Sequence, residues 1–257
     1  MQISQFNTFK NLHYISQPLV LTNVWDAASA AIVEKNGAKA IATSSASLAW
    51  ANGYPDGEKM PLELLFSVIK QIRSVTQLPL SVDLETGYSQ SPNEVAQTVQ
   101  CLVDIGVVGI NIEDGDQSPE LLINKIKNIR NLLGQNSVFI NARTDVFLQQ
   151  LVSEDFQLTE SIKRAKAYLA AGADGIFVPG MVESQDIKQF GKLIKAPLNI
   201  MLSEQQFCNI KSIKDAGVQR ISTGPNSFIE CYKNICPKRS SQSNVSNLNF
   251  EYLNQLF

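Results

Sequence analysis

Gly172-Ala-Asp-Gly-Ile176 stands between a segment of helical period, Thr159–Ala171, and a short apolar run, Gly175–Val178. Glycine closes a helix in the left-handed conformation without steric cost, and the isoleucine that follows opens a strand. The same five-residue pattern recurs as Gly37-Ala-Lys-Ala-Ile41, Gly106-Val-Val-Gly-Ile110 and Gly217-Val-Gln-Arg-Ile221. Two further entries into strands use proline, in Leu78-Pro79-Leu80 and Ala196-Pro197-Leu198, where the restricted residue before proline favours extended backbone. Working outward from these turns predicts strands at Leu19–Val24, Ala40–Thr43, Leu80–Leu84, Gly109–Glu113, Val138–Ala142, Gly175–Val178, Leu198–Met201 and Arg220–Ser222. The runs are rich in Ile and Val and read as lacking polar alternation over most of their length, which suits parallel strands buried on both faces. Ser91-Pro92-Asn93-Glu94 reads as a helix start, with Ser as cap and Pro at the first helical position, and Pro92–Ile105 continues at helical period. One strand every roughly 20 to 40 residues is the spacing of successive βα units. Eight units predict a closed (β/α)8 TIM barrel. An open doubly wound sheet would more often show fewer strands and a glycine-rich turn after the first, where this chain has Asn23-Val24-Trp25-Asp26-Ala27-Ala28.

A chain of 257 residues fits one such barrel, expected over 1–236. Residues 237–257 form a polar linker, Pro237–Asn249, and an apolar tail, Phe250–Phe257. The tail reads either as a frayed end or as a short helix docked on another subunit. With 22 Lys+Arg against 24 Asp+Glu, the chain carries no electrostatic footprint for nucleic acid or an anionic membrane. A hydrophobic content of 44% excludes a disordered chain. No apolar stretch approaches the ~18 residues of a membrane-spanning helix, and the N-terminus lacks a secretory pattern. Cys101, Cys208, Cys231 and Cys236 form no CxxC pair. They read as reduced thiols of a cytoplasmic protein. The single histidine, His13, precludes two-histidine metal motifs, and its place before the first strand favours a packing role. The chemistry therefore falls to carboxylates, arginine, hydroxyls, backbone or a metal.

Catalytic groups of such barrels project from the carboxyl ends of the strands. Strand three ends Val82-Asp83-Leu84-Glu85-Thr86-Gly87-Tyr88 and strand four ends Asn111-Ile112-Glu113-Asp114-Gly115. Alternation aims Asp83 and Glu85 the same way, and neighbouring strands lie about 4.8 Å apart, so Asp83, Glu85 and Glu113 are expected to converge within reach of one cation. Carboxylates without His or Cys suit a hard ion, Mg²⁺ first and Mn²⁺ second. Strand five adds Asn141-Ala-Arg143-Thr-Asp145; Arg143 offers a fork of donors for an anionic substrate. Thr43, Ser44 and Ser45 after strand two offer hydroxyls and N–H groups to an oxyanion. Ser222-Thr223-Gly224-Pro225 resembles a phosphate loop only faintly.

Together Asp83-Leu-Glu85-Thr-Gly-Tyr88, Gly109-Ile-Asn-Ile-Glu113-Asp114, Asn141-Ala-Arg143-Thr-Asp145, Gly53-Tyr-Pro-Asp56 and Thr43-Ser-Ser45 resemble the isocitrate lyase/phosphoenolpyruvate mutase superfamily, most closely its phosphonomutase-like branch, over residues 5–230. The resemblance implies a barrel whose last helix is exchanged between subunits of a homodimer or homotetramer, with Mg²⁺ and a 2-oxo acid or its enolate as ligands. By position, it implies that Asp83 is the direct metal ligand, with Glu85, Glu113 and Asp56 holding the metal's waters. Arg143 would pair with the substrate carboxylate, and Thr43, Ser44 and Ser45 would bind its oxyanion end. The isocitrate and methylisocitrate lyases carry Lys-Lys/Arg-Cys-Gly-His on the loop after strand four, and the mutases carry Lys and Asn there. This chain has Gly115-Asp116-Gln117-Ser118-Pro119-Glu120-Leu121 instead.

What remains stabilises a pyruvate-like enolate. The expectation is a Mg²⁺-dependent carbon–carbon lyase of a small 2-oxo or 2-hydroxy dicarboxylate, by oxaloacetate-like decarboxylation or malate-like cleavage. Cleavage needs a base, for which Tyr88, Glu113 or a metal-bound water is available. Two alternatives stand beside it. One is a C–P bond enzyme of the phosphoenolpyruvate mutase or phosphonopyruvate hydrolase type, disfavoured because phosphoryl transfer needs cationic support the loop lacks. The other is a non-catalytic 2-oxo acid binding protein.

Overall fold

The computed structural model describes residues 2–202, 210–235 and 248–257. The expected boundary at 236/237 and Cys208 and Cys236 lie outside them. Eight parallel strands close in sequence order into a barrel: β1 Leu19–Val24, β2 Ile41–Thr43, β3 Leu80–Asp83, β4 Gly109–Glu113, β5 Phe139–Arg143, β6 Gly175–Phe177, β7 Leu198–Met201 and β8 Arg220–Ser222. Around it run the helices α1 Gln2–Leu12, α2 Ala27–Lys35, α3 Ser45–Ala51, α4 Leu62–Val75, α5 Pro92–Asp104, α6 Pro119–Leu133, α7 Glu154–Ala171, α8 Ser184–Leu193, α9 Ile210–Asp215, α10 Asn226–Lys233 and α11 Phe250–Asn254. All four repeat glycines have positive φ, from 86° at Gly37 to 117° at Gly172, so the helix-closing reading of the pattern holds. Ser91 caps α5 by accepting the Glu94 N–H, with Pro92 at its first turn. No described helix is long and apolar enough to cross a membrane.

The expected lack of polar alternation is corrected by the register. Asp83 pairs with Asn111, Asn111 with Asn141, Glu113 with Arg143, and Asn199 with Arg220. Paired residues of parallel strands face the same way, so the inside of the barrel is lined by Asn23, Ser81, Asn111, Asn141, Asn199, Arg220 and Ser222. The alternate residues, Ile110, Ile112, Ile140, Ala142, Ile176, Ile200 and Ile221, are fully or almost fully buried in the main apolar core. Dry packing therefore sits between strands and helices, while the barrel axis is a hydrogen-bonded polar column: Asn141 Nδ2 donates to Asn111 Oδ1 at 2.9 Å, and Arg220 Nη2 to the same oxygen at 3.0 Å.

Helix α1 plugs the amino-terminal end of the barrel. Phe6 and Phe9 are completely buried with Leu21, Val108 and Phe139. His13 follows them inside: it is 1% exposed, stacks on Phe139 at 4.3 Å and bonds through Nδ1 to the Phe9 carbonyl at 2.9 Å. Burial first, then the nearby Arg220 charge, lower its pKa to about 3, so it is a neutral packing residue. The plug depends on Gly109, where a Cβ would lie 2.7 Å from Phe9 Cε1. Gly109→Ala is expected to cost about 1–3 kcal/mol by displacing the plug, measurable by chemical denaturation.

Candidate active site

The carboxyl ends of β2 to β5 bring the expected residues to one mouth. Asp83 is the last residue of β3. Its backbone N–H donates to Thr43 Oγ1 at 3.0 Å, and its Oδ2 accepts the Ser45 N–H at 3.3 Å. Oδ1 is buried and has no hydrogen-bond partner among the described residues, and the same is true of Asp56 Oδ1. Thr43, Ser44 and Ser45 thus work first on their own surroundings. Thr43 holds the Asp83 backbone, Ser44 caps α3 by accepting the Ser47 N–H, and Ser45 reaches both Asp83 and Asp56.

Glu85 sits one residue past Leu84 with φ +52°, a left-handed turn that directs its carboxylate away from simple strand alternation. Its Oε2 accepts the Glu58 N–H at 2.8 Å, and its Oε1 faces the Tyr88 hydroxyl at 3.5 Å. Glu58 also receives the Thr86 hydroxyl and the Tyr88 N–H, each at 2.8 Å. Lys125 Nζ donates to the Thr86 carbonyl at 2.8 Å. Glu58 and Lys125 were not singled out from the sequence, yet both hold the 83–88 segment. A lysine inside the apolar stripe Leu122, Lys125, Ile126, Ile129 of α6 was the available signal.

Among the described residues, no three His, Cys, Asp or Glu side chains form a direct ligand set. Asp83, Glu85 and Glu113 nonetheless lie close enough to act electrostatically on one another, with the Glu85 oxygens turned to the Glu58 N–H and the Tyr88 hydroxyl. What the mouth holds instead is a group of crowded, buried acids. Burial, then Asp56 and Asp83, push Glu85 up to about 8. Burial raises Glu113 well above the carboxylate range, with Arg143 opposing. Burial and Asp83 raise Asp56, and burial with Glu85 raises the Tyr88 hydroxyl. Crowding and burial disfavour the charged form of these acids, and a cation bound among them would relieve that repulsion. One direct carboxylate with the others acting through water fits this geometry.

Arg143 closes β5 as a fork already engaged. Nε and Nη2 bond Asp145 Oδ1 and Oδ2 at 2.6 and 2.9 Å. Nη1 lies 2.8 Å from Glu113 Oε2. That contact is an ion pair without an aligned N–H, since the oxygen has no hydrogen-bond partner among the described residues. Burial alone would lower its pKa, but Glu113 and Asp145 hold it raised, so it stays cationic. Asp145 is held in turn, its N–H donating to Asp114 Oδ1 at 2.9 Å, while Asp114 also takes Arg164 at 2.9 Å and the Tyr168 hydroxyl at 2.5 Å. The amides after β8 serve packing: Asn23 Oδ1 accepts the Thr223 and Gly224 N–H groups at 3.0 and 2.9 Å. Asp26 is the α2 cap and Trp25 meets Phe228.

Part of this group opens into one cavity, while Thr43, Glu85, Tyr88 and Glu113 stand behind its lining. Asp56, Asp83, Arg143, Ser44 and Ser45 line its floor.

Residues 9–241 match the model of the family described as phosphoenolpyruvate phosphomutase. A 2-methylisocitrate lyase of Shewanella oneidensis is 30% identical over 223 residues, covering 80% of this chain and 74% of that protein. An uncharacterized protein of Mycobacterium tuberculosis is 32% identical over 221 residues, covering 84% and 81%. Among solved structures, a protein of Burkholderia cenocepacia provisionally called a phosphonomutase superposes with a TM-score of 0.85 at 38% identity, covering 90% of this chain and 97% of that one. Barrel, strand-end residues and matches agree: the chain belongs to the phosphoenolpyruvate phosphomutase family, within the isocitrate lyase/phosphoenolpyruvate mutase superfamily.

Proposed function

We propose that the protein is a Mg²⁺-dependent lyase that cleaves a small 2-oxo or 2-hydroxy dicarboxylate through a pyruvate-like enolate. The observation that carries this reading is the pair of buried, unpartnered oxygens, Asp83 Oδ1 and Asp56 Oδ1, in a mouth whose other acids are crowded. Asp83 would hold the metal directly, and Asp56, Glu85 and Glu113 would hold its waters. Mg²⁺, when bound, polarises the substrate carbonyl as a Lewis acid. A solved structure of a phosphonopyruvate hydrolase with oxalate and Mg²⁺ shares the fold at 19% identity, and supports the metal's identity by analogy of fold.

The chain's own residues orient the acid and move protons. Arg143, clamped by Asp145, presents a fixed positive charge on the cavity wall to a substrate carboxylate. The Ser45 N–H stands beside Asp83, where it orients the carboxylate. Aldol-type cleavage also requires a base, for which Tyr88, Glu113 or a metal-bound water would serve. C–P chemistry fits less well, because the loop from Asp114 to Ser118 offers no cation to a transferring phosphoryl group.

A panel of 2-oxo and 2-hydroxy acids, assayed for pyruvate and glyoxylate release with and without EDTA, tests the reading. Metal-dependent release from oxaloacetate-like or malate-like acids is expected. Release from phosphonopyruvate alone would overturn it in favour of C–P chemistry. Mg²⁺-dependent oxalate binding without turnover of any acid would make the protein a binder.

A further inference from the structure

The cavity at the strand ends has a volume of about 590 Å³, within the ~300–1,000 Å³ of pockets that enclose drug-sized ligands. A four-carbon dicarboxylate occupies only its polar floor. Beyond the floor, apolar side chains of Leu148, Met201, Ile229, Leu248 and Phe250 join the lining, with polar Asn226, Asn249, Glu251 and the Lys233–Glu230 pair among them. The cavity's two described cations are both committed, Arg143 to Asp145 and Glu113, and Lys233 to Glu230 at 2.6 Å. The outer chamber therefore suits a hydrocarbon group better than a second, distant anion.

Leu248 and Phe250 come from the tail, which is seated on this mouth. Asn254 Oδ1 accepts the Trp50 indole N–H at 3.1 Å and the Asp56 backbone N–H at 2.6 Å. Leu253 is buried with Trp50 and Phe228. The Phe250 ring meets Trp50 edge-on at 5.3 Å, and Asn249 caps α11 by accepting the Tyr252 N–H. The loop between β4 and α6 is tied down and takes no part in the lining. Asp114 is bonded to Asp145, Arg164 and Tyr168, and Ser118 caps α6. The start of α11, through Phe250 and Glu251, thus forms part of the cavity's wall beside Ile229 and Lys233 of α10.

We propose that α11 sets the size of the substrate. The site takes a 2-oxo or 2-hydroxy acid bearing an apolar substituent, with Phe250 as the specificity-determining residue. The proposal rests on the lyase reading for the acid end, which lies on the Asp83–Arg143 floor; the substituent lies between Met201 and Phe250. Extending the substituent by one buried methylene is expected to tighten binding roughly 4-fold.

The test is titration calorimetry on the full chain with Mg²⁺, using oxalate, pyruvate, 2-oxobutanoate, 2-oxohexanoate and 2-oxooctanoate. Affinity should climb along the 2-oxo acid series in the wild type. Phe250→Ala should keep oxalate affinity within about twofold and flatten the climb. Phe250→Trp, which keeps an aromatic seat against Trp50, should weaken the longest acid first. Oxalate binding without any gain along the series overturns the proposal and leaves the lyase reading standing. Absence of oxalate and 2-oxo acid binding overturns both. A gain that neither Phe250 variant alters overturns the sizing role of α11.

Discussion

Asp83→Ala is expected to lower Mg²⁺-dependent turnover by about 10³-fold or more, while the barrel stays folded. A metal acting as Lewis acid contributes several kcal/mol to the transition state, and each 1.36 kcal/mol is about tenfold in rate. Asp83 is the carboxylate best placed to hold that metal, because its Oδ1 is buried without a partner while Oδ2 receives only a 3.3 Å N–H bond from Ser45. The effect on the metal-free protein should run the other way. Asp83 raises the pKa of Asp56, Glu85 and Glu113, so deleting it relieves repulsion among buried acids and should leave the melting temperature unchanged or higher. That split distinguishes a ligand from a structural residue, which would lose stability and activity together. Asp83→Asn, which keeps the shape and the Ser45 bond, should follow Ala in turnover. Retention of activity within tenfold would place the metal elsewhere.

The metal-free protein is expected to lose stability as pH rises from about 5 to 8.5. Glu85 titrates near 8 in the folded chain against 4.5 ordinarily, and Glu113 and Asp56 are raised as well. Below pH 4.5 Glu85 is neutral in both states and its contribution is complete. Between 4.5 and 8 the unfolded chain releases a proton that the folded chain keeps, so the unfolded state binds fewer protons and stability falls with pH. Above 8 the loss is finished. Its size is on the order of a few kcal/mol after allowance for residual solvent, or several degrees in melting temperature at this chain length. Mg²⁺ should reverse the slope, because its ligands must ionise and its binding releases protons. Thermal melts at pH 5 to 8.5 with and without Mg²⁺ check this, and Glu85→Gln should flatten the metal-free slope. A metal-free melting temperature that rises across the window would contradict the arrangement of the acids.

Local signals carried much of this architecture. Glycine must supply the positive φ at Gly37, Gly106, Gly172 and Gly217, and a residue with one job leaves a readable mark. The strands after those turns were placed within one residue at either end. The polar column inside the barrel was less legible. In three- to five-residue strands, the alternation in Gly-Ile-Asn-Ile-Glu or Phe-Ile-Asn-Ala-Arg is too short to stand out from an apolar run, and only the register shows Asn111 and Asn141 facing inward. The acids at the mouth were visible because they cluster at the ends of β3 and β4. Their geometry was not, because the left-handed turn at Glu85 depends on Glu58, 27 residues earlier, and on Lys125 from α6. Arg143 was visible as a cation at a strand end, whereas its engagement by Asp145 requires the fixed Asp114–Arg164–Tyr168 group. Asn254 on Asp56 is a contact across 198 residues, for which no local pattern exists.

Titration of the ligand-free chain with Mg²⁺, followed by calorimetry at pH 6, 7 and 8, tests the central claim most directly. The carboxylate mouth should bind one Mg²⁺ per chain, release protons on binding, tighten as pH rises, and lose the binding in Asp83→Ala. Equal Mg²⁺ affinity in wild type and Asp83→Ala, or an affinity indifferent to pH, would contradict it.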